Sequence, residues 1–242
     1  MACMLSTMQE VPFSVARILE FGTTAHANTK CTTWRASGAE ETTFAEIGAR
    51  AAAFAHALHN DLGIDGDQRV STLLYNCAEH IEVMFAVAAK GAVFNPLNVQ
   101  LMADQIAYVV NHSESEVVVA DPRLAAKLGT ILRDCPTVRA VVFTGIAPLD
   151  DAASHLPDAV EVYSYEQLLD GRPTSYPWPE LPENTAAALV YSTATTGAPK
   201  GVAYSHRSLW LEATSLRATD SLAVTHGVPF LCCIPIYHVL SW

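Results

Sequence analysis

The fold is decided by residues 70–97, which read VSTLLYNCAEHIEVMFAVAAKGAVFNPL. The run from Val70 to Tyr75 is apolar and of strand length, and a helical pattern then extends from Ala78 to Lys90. Gly91 ends that helix, and Val93 to Leu97 predicts a second strand. A strand, a helix and a strand in this order are typical of a βαβ unit, in which the two strands are parallel.

The same alternation extends in both directions from this unit. Upstream, apolar residues at three- and four-residue intervals predict a helix from Thr43 to Leu62, and a shorter amphipathic helix is expected within residues 10–20. Further helices are predicted at 103–111, 124–133 and 208–219, and further strands at 117–120, 140–144, 186–191, 202–204 and 228–236. This alternation indicates an α/β fold, with mostly parallel sheets flanked by helices on both faces.

A shift in composition divides the chain into three parts. Between Gly145 and Glu183 the sequence is rich first in aspartate and then in proline, which is typical of a surface connection and not of a core element. We therefore predict an α/β subdomain over residues 1–145, an Asp/Pro-rich crossover over 146–183, and the start of a second α/β subdomain over 184–242.

Composition and charge exclude several classes of protein. Half of the 242 residues are hydrophobic and 16% are charged, a composition that excludes disorder. The net charge of −11 provides no overall basic surface for nucleic acid or an anionic membrane. We find no basic leader with an apolar core and no apolar run of about 18 residues. We therefore predict a soluble, cytoplasmic protein with no transmembrane segment and no nucleic-acid partner.

The cysteines indicate a reducing compartment. Six cysteines are scattered along the chain without CxxC pairs, so we expect reduced thiols that are buried in the core. The vicinal Cys232 and Cys233 are expected to point to opposite faces of an extended segment.

One segment indicates a specific chemistry, namely residues 191–202, which read YSTATTGAPKGV between two predicted strands. Its hydroxyl groups belong to Ser192, Thr193, Thr195 and Thr196. Gly197 permits close approach of the backbone, and Lys200 supplies a positive charge. Together these groups are the donors that a polyphosphate needs, and an acidic chain has to concentrate such donors locally.

Two other interpretations of this loop compete with phosphate binding. Clustered serine, threonine, glycine and proline are also the composition of an ordinary surface loop. A Walker-type phosphate loop would place its lysine after the second glycine and open directly into a helix. In this chain Lys200 precedes Gly201 and strand-like residues follow, so the Walker interpretation fails.

The order of residues in the loop resembles the phosphate-binding signature of adenylate-forming acyl-CoA synthetases, usually Tyr-Thr-Ser-Gly-Thr-Thr-Gly-x-Pro-Lys-Gly-Val. Other stretches resemble the same family in matching order along nearly the whole chain: Gly66-Asp67, Asn76, Glu79, Gly91-Ala92, Pro96-Leu97-Asn98, Glu183, His206 and Pro235-Ile236-Tyr237-His238. The likeness is strongest to fatty acyl-CoA ligases. Two positions depart from the signature: Thr193 keeps the hydroxyl of the usual serine, and Ala194 adds a Cβ where glycine is usual.

The resemblance implies the fold of the first part of the large N-terminal domain of an adenylate-forming enzyme. It also implies that ATP, with Mg²⁺, activates a fatty acid or another carboxylate to an acyl-adenylate, and that CoA then takes the acyl group as a thioester. By the same resemblance, His238 of the Pro-x-x-His motif would act beside the reacting carboxylate, and Thr196 would contact the metal. The cofactor-binding residues would be Ser192, Thr193, Thr195, Thr196, Gly197 and Lys200.

Motifs that the family carries further downstream are not found in these 242 residues. They are an aromatic-Thr-Glu motif, a ribose-binding aspartate and a small domain with a catalytic lysine. We therefore expect the N-terminal portion of a fatty acyl-CoA ligase that is not competent for turnover alone, and its status as an enzyme is left open. One alternative is a noncatalytic interaction protein, or half of a split enzyme, that pairs with a complementing C-terminal half through its apolar edge at 228–242. Another is an unrelated nucleotide-binding α/β domain.

Two histidine patterns do not indicate metal sites. His80-Ile81-Glu82 matches the first half of the zinc-deaminase signature, but the Pro-Cys-x-x-Cys half is missing. His56 and His59 lie three residues apart on a predicted helix, without the further ligands that a metal site needs. We expect His56 and His59 to be surface histidines.

Overall fold

The computed structural model describes residues 4–145, 149–192 and 198–238. Its helices are α1 (Val15–Ala25), α2 (Phe44–Asn60), α3 (Ala78–Lys90), α4 (Ala103–His112), α5 (Ala125–Leu132), α6 (Leu149–Ala153), α7 (Tyr165–Leu169) and α8 (His206–Leu216). Its strands are β1 (Lys30–Arg35), β2 (Gly38–Thr43), β3 (Arg69–Leu73), β4 (Val93–Pro96), β5 (Ser115–Ala120), β6 (Ala140–Phe143), β7 (Glu161–Ser164), β8 (Ala186–Tyr191) and β9 (Gly201–Ser205).

One sheet contains strands in the order β7-β6-β5-β3-β4-β8-β9. Among the described residues its pairings are parallel, except for the antiparallel pair β8–β9. The predicted α/β fold with a mostly parallel sheet is therefore confirmed. The separate hairpin of β1 and β2 was not predicted, because both strands are mostly exposed and lack a regular apolar alternation.

Helices cover both faces of the sheet because successive side chains of a strand point in opposite directions. In β5, Val117 and Val119 join a core cluster that includes α1, α2 and α3. Val118 and Ala120 join a second cluster with α4 and α5 on the opposite face. All four residues are fully buried. A strand that is buried on both faces is nearly continuous in apolar residues, which is the pattern that the sequence shows.

Local signals set the ends of the helices. Thr43 Oγ1 accepts a hydrogen bond from the Glu46 amide at 3.2 Å, and the Thr43 amide donates to Glu46 Oε2 at 2.7 Å. This reciprocal pair is a capping box, which begins α2. Gly91 ends α3 with a φ of +100°, a left-handed conformation that favours glycine. None of the helices in the described part of the chain is both long and apolar enough to cross a membrane.

The segment predicted as a surface crossover contributes to the core, so that part of the prediction is wrong. β7 forms one edge of the sheet beside β6, and α7 buries Tyr165 completely, with its ring 5.0 Å from that of Phe54. Elements of four or five residues contain too few periods to be recognised from a pattern. The sheet also continues across residue 184, because β8 pairs with β4. The division into two subdomains stays a prediction.

The strand predicted at 228–236 is not present, so this prediction is also wrong. Residues 217–238 form turns and irregular structure after α8. A strand needs a hydrogen-bonded neighbour, and this segment bonds instead to the side chain of Asn76. As a result Cys232 and Cys233 are exposed, contrary to expectation, whereas Cys135 is buried as expected. Cys3 lies outside the described residues.

Candidate functional site

The carboxyl ends of β3, β4 and β8 meet at one edge of the sheet, and the candidate site lies there. The chain proceeds from β3 to β4 on one side and then returns to β5 on the other side of β3. Such a reversal of strand order opens a crevice outside the carboxyl ends of the strands, and ligands of α/β proteins bind at this kind of position. Asn76 follows β3 at this edge, and Ser192 follows β8.

Ser192 and Lys200 close the base of the hydroxyl-rich loop. The Ser192 amide donates to the Lys200 carbonyl at 2.9 Å, and the Lys200 amide donates to Ser192 Oγ at 3.3 Å. These bonds continue the β8–β9 ladder, whose last pair is Tyr191 with Gly201. The structure therefore brings together two of the predicted phosphate-binding residues. The other four predicted residues lie outside the described residues: Thr193, Thr195, Thr196 and Gly197.

The side chains at the base of the loop fit an anionic ligand. Lys200 is exposed, and its ammonium group has no carboxylate partner among the residues that the structure describes. The Ser192 hydroxyl is exposed beside it and accepts the Lys200 amide, which leaves its own proton available for a ligand. Within the described ranges, no group of three or more His, Cys, Asp or Glu residues is arranged to hold a metal ion. The predicted metal contact, Thr196, is not among those ranges.

His238 lies at the same edge of the sheet as the loop. With Tyr191 and Tyr237 it lines a crevice of about 10 Å³, which is bordered by Pro96 at the end of β4 and by aliphatic side chains that include Leu97. The His238 amide donates to the Pro235 carbonyl at 2.9 Å, and the imidazole lies 5.2 Å from the Tyr237 ring. The structure thus places His238 at the same crevice as Tyr191, the residue that precedes Ser192 of the loop. A volume of this size holds about one water molecule, so the crevice has to widen before it admits a nucleotide.

Tyr191 was quoted in the loop sequence, but its contact with α4 was not predicted. Its hydroxyl lies 2.7 Å from Nδ1 of His112, the last residue of α4. Burial raises the pKa of Tyr191 to about 12, so the phenol keeps its proton and can donate it to the imidazole. A hydrogen bond of this kind connects the carboxyl end of β8 to the helix beside it.

A larger, apolar cavity lies on the other side of the segment that precedes His238. It has a volume of about 300 Å³ and is enclosed by α1, α3, α8 and residues 230–236. Cys232 and Ile236 line this cavity, whereas Tyr237 and His238 line the crevice. The segment 232–238 therefore contributes residues to the lining of both spaces.

Comparison with known proteins defines the class to which this fold and site belong. Residues 22–242 match the family described as AMP-binding enzyme. Because the match covers nearly the whole chain, this protein belongs to that family. The resemblance noted in the loop and in the flanking stretches is confirmed.

Among individual relatives, the medium-chain-fatty-acid–CoA ligase of Ectopseudomonas oleovorans is 31% identical over 240 residues, which are 99% of this chain and 43% of the relative. The long-chain-fatty-acid–CoA ligase of Thermus thermophilus is 34% identical over 201 residues, or 83% and 35%. A Rhodopseudomonas palustris structure assigned as a long-chain-fatty-acid CoA ligase has a TM-score of 0.77 and 26% identity, over 95% of this chain and 53% of that one. The chain thus spans less than half the length of these two curated relatives.

An anthranilate CoA ligase in complex with anthranoyl-AMP has the same fold, with a TM-score of 0.74 and 21% identity. The alignment covers 85% of this chain and 37% of that chain. Both solved structures therefore agree with the observed sheet and its flanking helices.

Proposed function

We propose that this chain is the N-terminal portion of a fatty acyl-CoA ligase, an enzyme that activates a carboxylate with ATP and transfers the acyl group to CoA. One observation carries the proposal: His238 lines the crevice together with Tyr191, and the base of the Ser192–Lys200 loop begins at the next residue. The family match extends over the same residues. In this proposal the carboxylate meets the phosphates of the nucleotide at this crevice. The enzyme would act in the cytoplasm.

In the proposed reaction a carboxylate oxygen attacks the α-phosphorus of ATP and pyrophosphate leaves. The CoA thiol then attacks the acyl carbonyl and AMP leaves. The loop would act by positioning and by offsetting charge on the β- and γ-phosphates, through Ser192, Thr193, Thr195, Thr196, Gly197 and Lys200. Mg²⁺ would neutralise part of the same charge, with Thr196 as its contact in this chain. His238 would orient the carboxylate.

A fatty acid is the proposed carboxylate substrate. The cavity of about 300 Å³ has a nearly entirely apolar lining, which includes Phe94, Leu209 and Phe230. An alkyl chain gains free energy from leaving water for such surroundings. Ile236 of the cavity lining is two residues before His238 of the crevice, so the proposed site of the alkyl chain is close in the sequence to the proposed site of the carboxylate.

We predict that Lys200→Ala weakens binding of Mg-ATP to this chain by about tenfold, because a charge-assisted contact to a phosphate is lost. Isothermal titration calorimetry of the variant and the wild-type chain measures the change. Lys30→Ala is the matched control, since Lys30 is an exposed lysine of β1 that pairs with Glu41. Undetectable ATP binding by the wild-type chain, or equal affinities for wild type and Lys200→Ala, would contradict the proposed phosphate site.

A second candidate function is a noncatalytic protein, or half of a split enzyme, that pairs with another polypeptide. Exposed apolar side chains near the end of the described residues favour it: Val228, Phe230, Leu231 and Ile234 are 64%, 62%, 79% and 46% exposed. Contiguous exposed apolar residues mark interaction surfaces.

Co-expression with the C-terminal part of a related ligase separates the two candidates. We expect a stable complex that Leu231→Asp disrupts, because a charge is placed in an apolar interface. Trp34→Asp on β1 is the matched control, since Trp34 is also 79% exposed. Fatty-acid-dependent ATP–pyrophosphate exchange by the complex supports the ligase portion. Association without exchange supports the noncatalytic candidate, and the absence of association counts against pairing.

A further inference from the structure

Asn76 occupies a distinctive place at the edge of the sheet where the candidate site lies. It comes three residues after Leu73, the end of β3, and its side chain is exposed. β3 is the strand beside which the strand order reverses. Asn76 therefore lies at the edge of the sheet where ligands of α/β proteins bind.

The Asn76 carboxamide uses both its donor and its acceptor on one distant segment. Nδ2 donates to the Cys232 carbonyl at 3.1 Å and to the Ile234 carbonyl at 3.0 Å. Oδ1 accepts the Ile236 amide at 2.9 Å. The bonded residues are 156–160 positions apart in the chain. A carboxamide offers two N–H donors and an oxygen acceptor, which is the complement of two carbonyls and one amide.

The segment that Asn76 holds is not part of a helix or strand. Residues 228–235 have no regular hydrogen-bonded ladder, and Phe230 and Leu231 are 62% and 79% exposed. The position of such irregular backbone depends on its side-chain hydrogen bonds and on the packing of its buried residues, here Ile236 and Tyr237. Fixing Ile236 also fixes Tyr237 and His238, which follow it directly and border the crevice.

We propose that Asn76 is a positioning residue: it clamps residues 232–236 and thereby sets the place of His238 relative to Tyr191 and the loop base. The role in activation rests on the proposed function, whereas the clamp itself is a property of this chain. Asn76 contacts the backbone of the segment and acts on the site through His238.

Two variants separate the donor from the acceptor of the clamp. Asn76→Ala removes both, so exchange of the Ile236 amide with solvent should become roughly five- to tenfold faster, as expected for loss of one hydrogen bond. Asn76→Asp keeps the acceptor for the Ile236 amide but turns a carboxylate oxygen toward two carbonyls. In Asn76→Asp we therefore expect displaced NMR signals of the His238 ring, with the size and shape of the side chain retained.

The control is Asn111→Ala, which removes one hydrogen bond from a side chain to the Asp134 carbonyl at 2.7 Å, elsewhere in the fold. We expect it to leave the His238 ring signals and the Ile236 exchange rate unchanged. A general loss of stability would move the control and the Asn76 variants together. If Asn76→Ala does not fold, the near-isosteric Asn76→Asp decides the question.

Unchanged His238 signals in both Asn76 variants would overturn the clamp. Binding of Mg-ATP, measured on the same samples, tests the proposed function separately. We expect it to be unchanged in the Asn76 variants, because the carboxamide bonds to residues 232–236 and Lys200 lies on the loop. Wild-type chain that binds no ATP but shows the expected changes at Ile236 and His238 would count against the phosphate site and support the clamp. An ATP affinity lowered equally by Asn76→Ala and Lys200→Ala would contradict a role confined to the segment before His238.

Discussion

Arg50→Met is expected to lower the free energy of unfolding by about 3–5 kcal/mol at pH 9, because it leaves a buried carboxylate without its counter-charge. Arg50 Nε lies 2.9 Å from both carboxylate oxygens of Glu82, and its terminal nitrogens bond to Glu166 at 2.7 and 3.1 Å. Glu82 is only 2% exposed and also accepts the Tyr165 hydroxyl at 2.9 Å. One guanidinium therefore connects α2 to α3 and α7.

The loss of unfolding free energy in Arg50→Met should depend on pH in a defined direction. Burial raises the pKa of Glu82 to about 7, although Arg50 acts to lower it. Without Arg50 that pKa rises further. A carboxyl group whose pKa is higher in the folded state binds protons preferentially in the folded state, so protonation stabilises the variant as pH falls toward the value of the unfolded chain. We therefore expect a smaller loss at pH 7 than at pH 9, because Glu82 of the variant takes up its proton at a higher pH than Glu82 of the wild type.

Urea unfolding at the two pH values measures both parts of this prediction. Lys30→Met is the control, because it removes the exposed pair of Lys30 with Glu41, and exposed pairs contribute little to stability. A loss in Arg50→Met no larger than in the control would show that the buried network does not stabilise the fold. A loss that is equal at pH 9 and pH 7 would show that removing Arg50 does not raise the pKa of Glu82.

The second large effect is the acid sensitivity that His80 confers. Its imidazole is fully buried, with Nε2 2.8 Å from Thr72 Oγ1 and Nδ1 3.2 Å from the Tyr75 carbonyl. Burial lowers the pKa of His80 to about 4. Because the unfolded chain takes up this proton near pH 6.5, the contribution of His80 is complete above that value and is lost as pH falls from 6.5 toward 4. Between pH 7 and pH 5 the loss is about 2 kcal/mol.

His80→Gln isolates this contribution, because glutamine has no titration in this range and can still donate to a carbonyl and accept from a hydroxyl. Glu82 titrates in the opposite sense over the same window, so the difference between wild type and variant is the quantity to follow. We expect their difference in unfolding free energy to change by about 2 kcal/mol between pH 7 and pH 5. His155→Gln, at an exposed position, is the matched control. Parallel pH profiles of the unfolding free energy for wild type and His80→Gln would contradict a neutral, buried His80.

Much of the fold was predictable from local patterns. The helix predicted at 78–90 is α3, and that predicted from Thr43 to Leu62 is α2 with slightly shorter ends. These segments have several turns of apolar periodicity and clear stop signals. The prediction of a strand at 228–236 was wrong, because an apolar run indicates burial but does not show which strand would be its hydrogen-bonded neighbour.

The residue types of the candidate site were predictable, but the contacts between distant residues of the site were not. The loop from Ser192 to Lys200 and the histidine at 238 were found because their residue types follow one another in an unusual order. The contact of Tyr191 with His112 and the bonds of Asn76 were not found, although Asn76 was among the stretches that resemble the family. A polar residue just after a buried strand is a signal that could have drawn attention to Asn76, but its partners are 156–160 positions away.

Local patterns in the sequence were sufficient for the α/β class, the order of the main elements and the chemistry of the loop, because each depends on residues that are close together in the chain. Long-range packing alone decided that β7 joins the edge of the sheet, that α7 packs in the core, and that Glu82 and His80 are buried. It also decided that residues 232–238 lie beside the carboxyl ends of the strands. Those outcomes depend on the order of the strands in the sheet and on the hydrogen bonds and ion pairs between residues that are distant in the chain. A local pattern encodes neither the strand order nor these distant pairings.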